Sequence, residues 1–153
     1  VTDAPITIVI ADDHRVVRAG LRLLLEAEDG FEVVAEAGDV ATTELRVAAY
    51  HPRVLILDLN MPDGSSLPSI PRIRESAPDT RLVVLTMQND PAFAREALRA
   101  GATGYVLKEA ADAELVQAVR LAAEGRTYLN PELGARLAAV PTAAAAPDDL
   151  SAR

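Results

Sequence analysis

Short apolar runs alternate along the chain with longer stretches whose apolar positions recur at helical spacing, and five such rounds can be followed. The runs are Ile6–Ala11 (ITIVIA), 31–35 (FEVVA), Val54–Leu57 (VLIL), 81–85 (RLVVL) and Gly104–Leu107 (GYVL). A strand covered on both faces has no polar side to show, so continuous β-branched and leucine runs mark the central strands of a parallel sheet. The first, third and fourth runs read that way. The second interleaves Glu32 and Glu36 with apolar residues, which suits an edge. Between the runs, 16–27 (VVRAGLRLLLEA) carries an apolar stripe with its arginines to one side and reads as a first helix. Further helices are predicted over 39–49, 67–76, 91–100 and 111–124, with Asp39, Asp90 and Asp112 as N-caps and Gly101 and Gly125 as C-caps. Pro68 and Pro71 fall in the first turn of the third helix, where backbone N–H groups lack intrahelical partners anyway. Strand and helix in strict alternation predict an α/β fold, a parallel sheet with helices on both faces.

The rhythm changes after Gly125. A sixth short helix is expected over 131–140 despite Gly134, and 141–153 (PTAAAAPDDLSAR) has the composition of a linker. The expected division is a domain over 1–125, a tail over 126–140 and a linker over 141–153.

Composition narrows the functional classes. With 23 acidic against 15 basic residues and a formal net charge of -8, this stretch of chain does not grip nucleic acid or anionic lipid by bulk electrostatics. It has no cysteine, hence neither disulfide nor thiolate metal site, and a reducing cytoplasm is the expected home. No apolar run reaches the roughly 20 residues that span a bilayer. Of the 15 basic residues one is lysine, Lys108, and every other is arginine.

In an open parallel sheet ligands bind beyond the carboxyl ends of the strands, so the residues there carry the functional reading. The first strand runs into Asp12 and Asp13, the third into Asp58, the fourth into Thr86 and the fifth into Lys108. Singly, each has an ordinary structural explanation: an aspartate capping a helix or bonding loop amides, a threonine at a strand end, a lysine snorkelling into solvent. Together they place three carboxylates at one edge. A like-charge pair at about 4 Å costs on the order of 4 kcal/mol at an effective dielectric of 20, so cations belong there. One is Lys108, kept as a compact ammonium in a chain that otherwise chose arginine. The other expected cation is a hard divalent ion on carboxylate oxygens, for which Mg²⁺ fits best. A carboxylate flanked by a metal ion and an ammonium is equipped to attack phosphorus. His14, beside the acidic pair, and His51, before Pro52, lack metal-ligand spacing and read as structural.

IADDH after the first strand, LILDLNMPDG around Asp58, VVLTM at Thr86 and GYVLKEA at Lys108 together resemble the receiver domain of bacterial two-component response regulators. The segment TYLNPELGARLAA resembles the tail of the NarL/FixJ subfamily. The resemblance implies a flavodoxin-like sheet of five strands in the order 2-1-3-4-5 with five helices and a short tail helix. It implies that Asp58 accepts a phosphoryl group from a sensor histidine kinase. Asp13, Asp58 and the backbone carbonyl of Asn60 would ligate Mg²⁺ directly, with Asp12 acting through water. Lys108 and Thr86 would contact the phosphoryl group, and Tyr105 would turn inward behind Thr86. The face formed by the fourth helix, fifth strand and fifth helix would then control homodimerisation and transcription. Promoter DNA would be met by a helix-turn-helix domain beyond the linker. On this reading the chain is a signalling module, not an enzyme, that assists its own phosphorylation and dephosphorylation.

The sequence also departs from the family. Glu109 stands where many receivers have proline after the lysine, leaving the isomer of that peptide open. Ser66 replaces the subfamily's usual second loop glycine. Met87 is larger than the residue common beside the threonine, and Met87, Asn60 and Gln88 are expected to tune the lifetime of the phosphoryl group. Two alternatives are a haloacid-dehalogenase-like phosphatase, whose second aspartate is replaced here by Asn60, and a receiver that signals without phosphate. No G-x-G-x-x-G or G-x-x-x-x-G-K pattern supports nucleotide binding.

Overall fold

A computed structural model describes residues 4–139. In chain order the elements are β1 (Ile6–Ala11), α1 (Arg15–Glu26), β2 (Phe31–Ala37), α2 (Val40–Tyr50) and β3 (Val54–Leu57). Next come β4 (Asn60–Met61), β5 (Gly64–Ser65), α3 (Ser69–Ser76), β6 (Arg81–Thr86) and α4 (Pro91–Ala100). The described residues end with β7 (Gly104–Leu107), a 3₁₀ turn at Lys108–Ala110, α5 (Ala111–Ala123), β8 (Tyr128–Leu129) and α6 (Pro131–Ala139).

The main sheet runs β2-β1-β3-β6-β7-β8, every pair parallel. Its first five strands follow the expected 2-1-3-4-5 order, with β2 at an edge. The sixth was not expected: Tyr128 and Leu129 pair with Gly104 and Tyr105 along the edge of β7. Two residues are too few to show a period, so the sequence carries no sign of this strand.

Successive strand residues point to opposite faces, which splits the core in two. Val9, Leu55, Leu57, Leu82, Val84 and Tyr105 meet residues of α2, α3, α4 and α6 on one face. Ile8, Ile10, Ile56, Val83, Leu85 and Val106 meet Leu21 and Leu25 of α1 and Leu115 and Val119 of α5 on the other. Leu133 of α6 is 2% exposed, so this helix belongs to the first core.

The helix ends follow local chemistry. Asp39 accepts from Thr42 N–H at 2.7 Å and Asp90 from Ala92 N–H at 2.9 Å, the expected caps of α2 and α4. Gly101 ends α4 at φ 123°, where a Cβ would lie 2.9 Å from Arg74 Cγ. Asp112, expected as an N-cap, lies inside the first turn of α5, because the 3₁₀ turn carries the chain into the helix and Ala110 takes the cap position. Helix α3 starts only at Ser69, with Pro68 as its N-cap. Every peptide bond among the described residues is trans, including the one after Lys108. The expected last helical residue, Val140, and the linker over 141–153 lie outside the described residues. Among the described residues no helix is long and apolar enough to cross a membrane.

Candidate functional site

The parallel ladders deliver their polar residues to one edge of the sheet. Beyond β1, Asp12 N–H donates to Ala37 O at 3.0 Å, and beyond β3, Asp58 N–H donates to Ala11 O at 2.9 Å. These bonds continue the ladder past the last strand residues and hold both carboxylates in place. Asp12 is 1% exposed and Asp58 4%. Lys108 enters from the end of β7 and sets its ammonium 2.7 Å from Asp12 Oδ2 and 3.0 Å from Asp58 Oδ2. The Asn60 N–H donates to Asp58 Oδ1 at 3.2 Å and the His14 N–H to Asp12 Oδ1 at 2.8 Å. Asp13 is partly exposed, with its Oδ1 2.9 Å from His14 Nδ1.

The charges do not balance. Burial pushes the Asp58 carboxyl above its ordinary range, and the bonds from Lys108 and Asn60 recover only part of that, with the Asp12 charge adding to the rise. Burial alone would lower the Lys108 ammonium, yet its bonds to Asp12 and Asp58 outweigh that and hold it above the usual value. One ammonium against three carboxylates leaves an excess of negative charge in a half-buried cleft.

Two oxygens record that excess: Asp12 Oδ2 and Asp13 Oδ1 are buried and receive no aligned hydrogen bond. Asp12, Asp13 and His14 each offer a ligand atom, all within 4.8 Å of one another. Buried carboxylate oxygens without an aligned donor suit a hard cation with oxygen preference, so the residues fit Mg²⁺. The structure thus brings Asp12, Asp58 and Lys108 into direct contact, while Asp13 groups with Asp12 and His14 and not with Asp58.

Thr86 ends β6 fully buried, and its Oγ1 accepts from Gln88 N–H at 3.1 Å. Tyr105 is also fully buried and already turned inward, its hydroxyl donating to Gln88 O at 2.8 Å. Burial and then the Asp90 charge push its phenol far above the ordinary value. Met87 is 70% exposed and Asn60 is exposed, each close after a strand-end residue, Met87 next to Thr86 and Asn60 two positions after Asp58. His51 closes α2 at φ 45°, away from the strand ends that form the cleft.

Two supports escaped the sequence. Ser66 is fully buried, its hydroxyl donating to Asp58 O at 2.5 Å and its N–H to Leu59 O at 2.9 Å. Its φ is negative, so the missing glycine costs no strain, and the hydroxyl ties the loop after β5 to the backbone of Asp58. Arg18 on α1 donates to Asp12 O at 2.6 Å. The helical period places the arginines of the first helix to one side, and only the fold shows that Arg18 is partly buried against Asp12.

Comparison with known proteins agrees with this geometry. The response regulator receiver domain family matches residues 8–120. The oxygen regulatory protein NreC of Staphylococcus carnosus is 46% identical over 127 residues, 82% of this chain and 58% of that protein. The chain therefore spans little more than half the length of that relative. A LuxR-family two-component response regulator from Aurantimonas sp. SI85-9A1 superposes with a TM-score of 0.84 at 35% identity, covering 88% of this chain and 96% of that one. The signal receiver domain of the putative response regulator NarL from Mycobacterium tuberculosis gives 0.77 at 31% identity, covering 81% and 100%. With its sheet order, its buried aspartate on a lone lysine and these relatives all agreeing, the chain belongs to the response regulator receiver domain family, in the form carried by NarL- and LuxR-type regulators.

Proposed function

We propose that Asp58 is the phosphoacceptor of a phosphorelay, taking its phosphoryl group from a phosphohistidine on a sensor kinase. The observation that carries this reading is the pairing of a 4% exposed Asp58 with Lys108 at 3.0 Å, beside two buried carboxylate oxygens without aligned partners. An Asp58 oxygen attacks phosphorus, the bond from phosphorus to the imidazole nitrogen breaks, and its electron pair leaves with the imidazole. The product is an acyl phosphate.

Asp13, Asp58 and the Asn60 carbonyl would hold Mg²⁺ directly, and Asp12 through water. When bound, Mg²⁺ neutralises phosphoryl oxygens as charge builds on them. Lys108 holds Asp58 before transfer and turns its point charge to the phosphoryl oxygens after it. Thr86 Oγ1 uses a lone pair on Gln88 N–H, so its own O–H remains free to donate to the phosphoryl group. Hydrogen bonds to charged groups contribute roughly 1.5 to 3 kcal/mol each. Contacts from Lys108, Thr86 and a loop amide therefore supply the roughly 5.5 kcal/mol needed to invert a 1:99 equilibrium. Tyr105 inward behind Thr86 marks the switched face of α4, β7 and α5, through which the chain would dimerise and direct transcription. Promoter contact would belong to a separate DNA-binding domain.

Incubation with acetyl phosphate and Mg²⁺ tests this by intact mass. One phosphoryl adduct, lost in Asp58→Asn and on chelation, is expected. No adduct, or one that persists in Asp58→Asn, overturns the reading, and rapid hydrolysis of unrelated phosphomonoesters would favour the phosphatase alternative.

A further inference from the structure

The segment after α5 returns to the switch. Its anchor is Asn130, whose Oδ1 accepts from Leu133 N–H at 3.1 Å as the cap of α6 and whose Nδ2 donates to Glu114 Oε2 at 2.8 Å on α5. Leu133 is buried in the same core as Tyr105, and Leu129 and Leu137 pack against that core. One turn beyond Leu133, Arg136 donates to Asn89 O at 3.2 Å. A cleft of about 110 Å³ separates α6 from the sheet edge, lined by Asn89, Leu107, Glu109, Asn130, Leu133 and Arg136.

Asn89 belongs to the loop that senses the site. Thr86 Oγ1 bonds the Gln88 N–H, Gln88 O takes the Tyr105 hydroxyl, and the next carbonyl, Asn89 O, takes Arg136. Three hydrogen bonds thus link the threonine, the tyrosine and the tail helix through two adjacent residues of one loop, Gln88 and Asn89. On its other side α6 shares the cleft with Glu109, next to Lys108. Tyr105 is also the residue of β7 that pairs with Leu129 of β8, so ring and tail meet twice.

We infer that α6 is the intramolecular reader of the switch: its seat exists in the conformation with Tyr105 inward, so phosphorylation of Asp58 tightens α6 on the loop, and docking of α6 favours phosphorylation. Turning Tyr105 outward removes the bond that fixes Gln88 O, frees the loop that presents Asn89 O to Arg136, and takes an aromatic ring from the core that holds Leu133. The direction in which the chain leaves the domain then depends on the state of Asp58. The inference rests on the phosphoacceptor reading of Asp58.

The test uses the chain as it stands, with beryllofluoride and Mg²⁺ as the phosphoryl mimic. Loading is read by fluorine NMR, and amide exchange is followed in peptides covering 128–139. Exchange there should slow by about fivefold or more on loading, the low end of common coupling strengths. Because coupling is reciprocal, Arg136→Ala should remove most of that slowing and weaken beryllofluoride binding by a similar factor, with Arg136→Lys, which keeps a donor, lying between. Arg136 is exposed, so the variant folds, and an unchanged unfolding midpoint in chelator separates coupling from damage. A loaded site with unchanged or faster exchange in α6, or parent affinity in Arg136→Ala, overturns the inference and leaves Asp58 as phosphoacceptor. Absence of loading in the parent overturns the reading of Asp58 itself, and this inference with it.

Discussion

Two charged clusters in this molecule are built as opposites. At the carboxyl edge of the sheet one cation, Lys108, serves two carboxylates, Asp12 and Asp58. Between α1 and β2 one carboxylate, Glu36, serves two cations, with Arg18 Nε at 3.0 Å and Arg22 Nη1 at 2.6 Å. Burial raises both carboxyls, but at Glu36 the bonds from Arg22 and Arg18 outweigh it and the group ends below its ordinary value, while Asp58 ends above. Surplus guanidinium is cheap there, because Arg22 also reaches Val33 O at 3.3 Å and Glu26 at 3.5 Å, and Arg18 reaches Asp12 O. Surplus carboxylate at the other cluster has only the single ammonium of Lys108 to share, and Asp12 Oδ2 and Asp13 Oδ1 receive no well-aligned hydrogen bond. A satisfied network holds a fold, and an unsatisfied one is ready for a ligand.

The largest expected effect comes from removing the one cation. Lys108→Ala leaves Asp12 and Asp58 facing each other and should destabilise the metal-free domain by about 3 kcal/mol in denaturant titration, with added Mg²⁺ recovering part. Next, the two carboxyls should show opposite signs in chelator. Asp58, raised in the fold, contributes stability below its ordinary value near 3.8 and loses it as pH rises through its folded value, so Asp58→Asn should stabilise at pH 7 and converge with the parent in acid. Glu36, lowered in the fold, contributes stability above its ordinary value near 4.5 and loses it as pH falls through its folded value, so Glu36→Gln should destabilise at pH 7 and converge in acid. Shifts of the same sign for both, by thermal unfolding across pH, would dissolve the contrast.

Exchanging cation type comes third. Arg22→Lys should cost less than about 1 kcal/mol, since an exposed partner remains within reach. Lys108→Arg should keep stability but lose the phosphorylation-dependent change in oligomeric state, because a planar guanidinium does not replace a point charge between two buried oxygens. A Lys108→Arg protein that switches normally removes the argument from the lone lysine. The smallest effect is at Met87, which is 70% exposed. Met87→Ala should change the dephosphorylation rate by no more than about threefold, roughly 0.7 kcal/mol in barrier.

The contrast also explains what was legible beforehand. β1 and β3 stand at their expected residues, and β6 within one residue of them, because strands buried on both faces leave continuous apolar runs. Asp12, Asp58, Thr86 and Lys108 were legible as strand-end residues, and Lys108 through its rarity. Ser66 and Arg18 were not, since their roles are hydrogen bonds to the backbone carbonyls of Asp58 and Asp12, which composition and period do not encode. β8 was hidden by its length, and the cap expected of Asp112 was displaced by a 3₁₀ turn that no local signal announces. The resemblance implied an inward Tyr105, and its ring is buried, but that its hydroxyl bonds Gln88 O and that the next carbonyl receives Arg136 depend on how the loop and α6 fold.

Asp12, Asp13 and Asp58 at the carboxyl edge of the sheet outnumber the one ammonium there, and a bound cation is expected to complete the balance. Calorimetric titration with Mg²⁺, without any phosphoryl donor, measures that directly. One Mg²⁺ should bind the parent and Glu36→Gln alike, with binding greatly weakened in Asp13→Asn and Asp58→Asn. Equal binding by all four proteins, or none by the parent, would contradict the account.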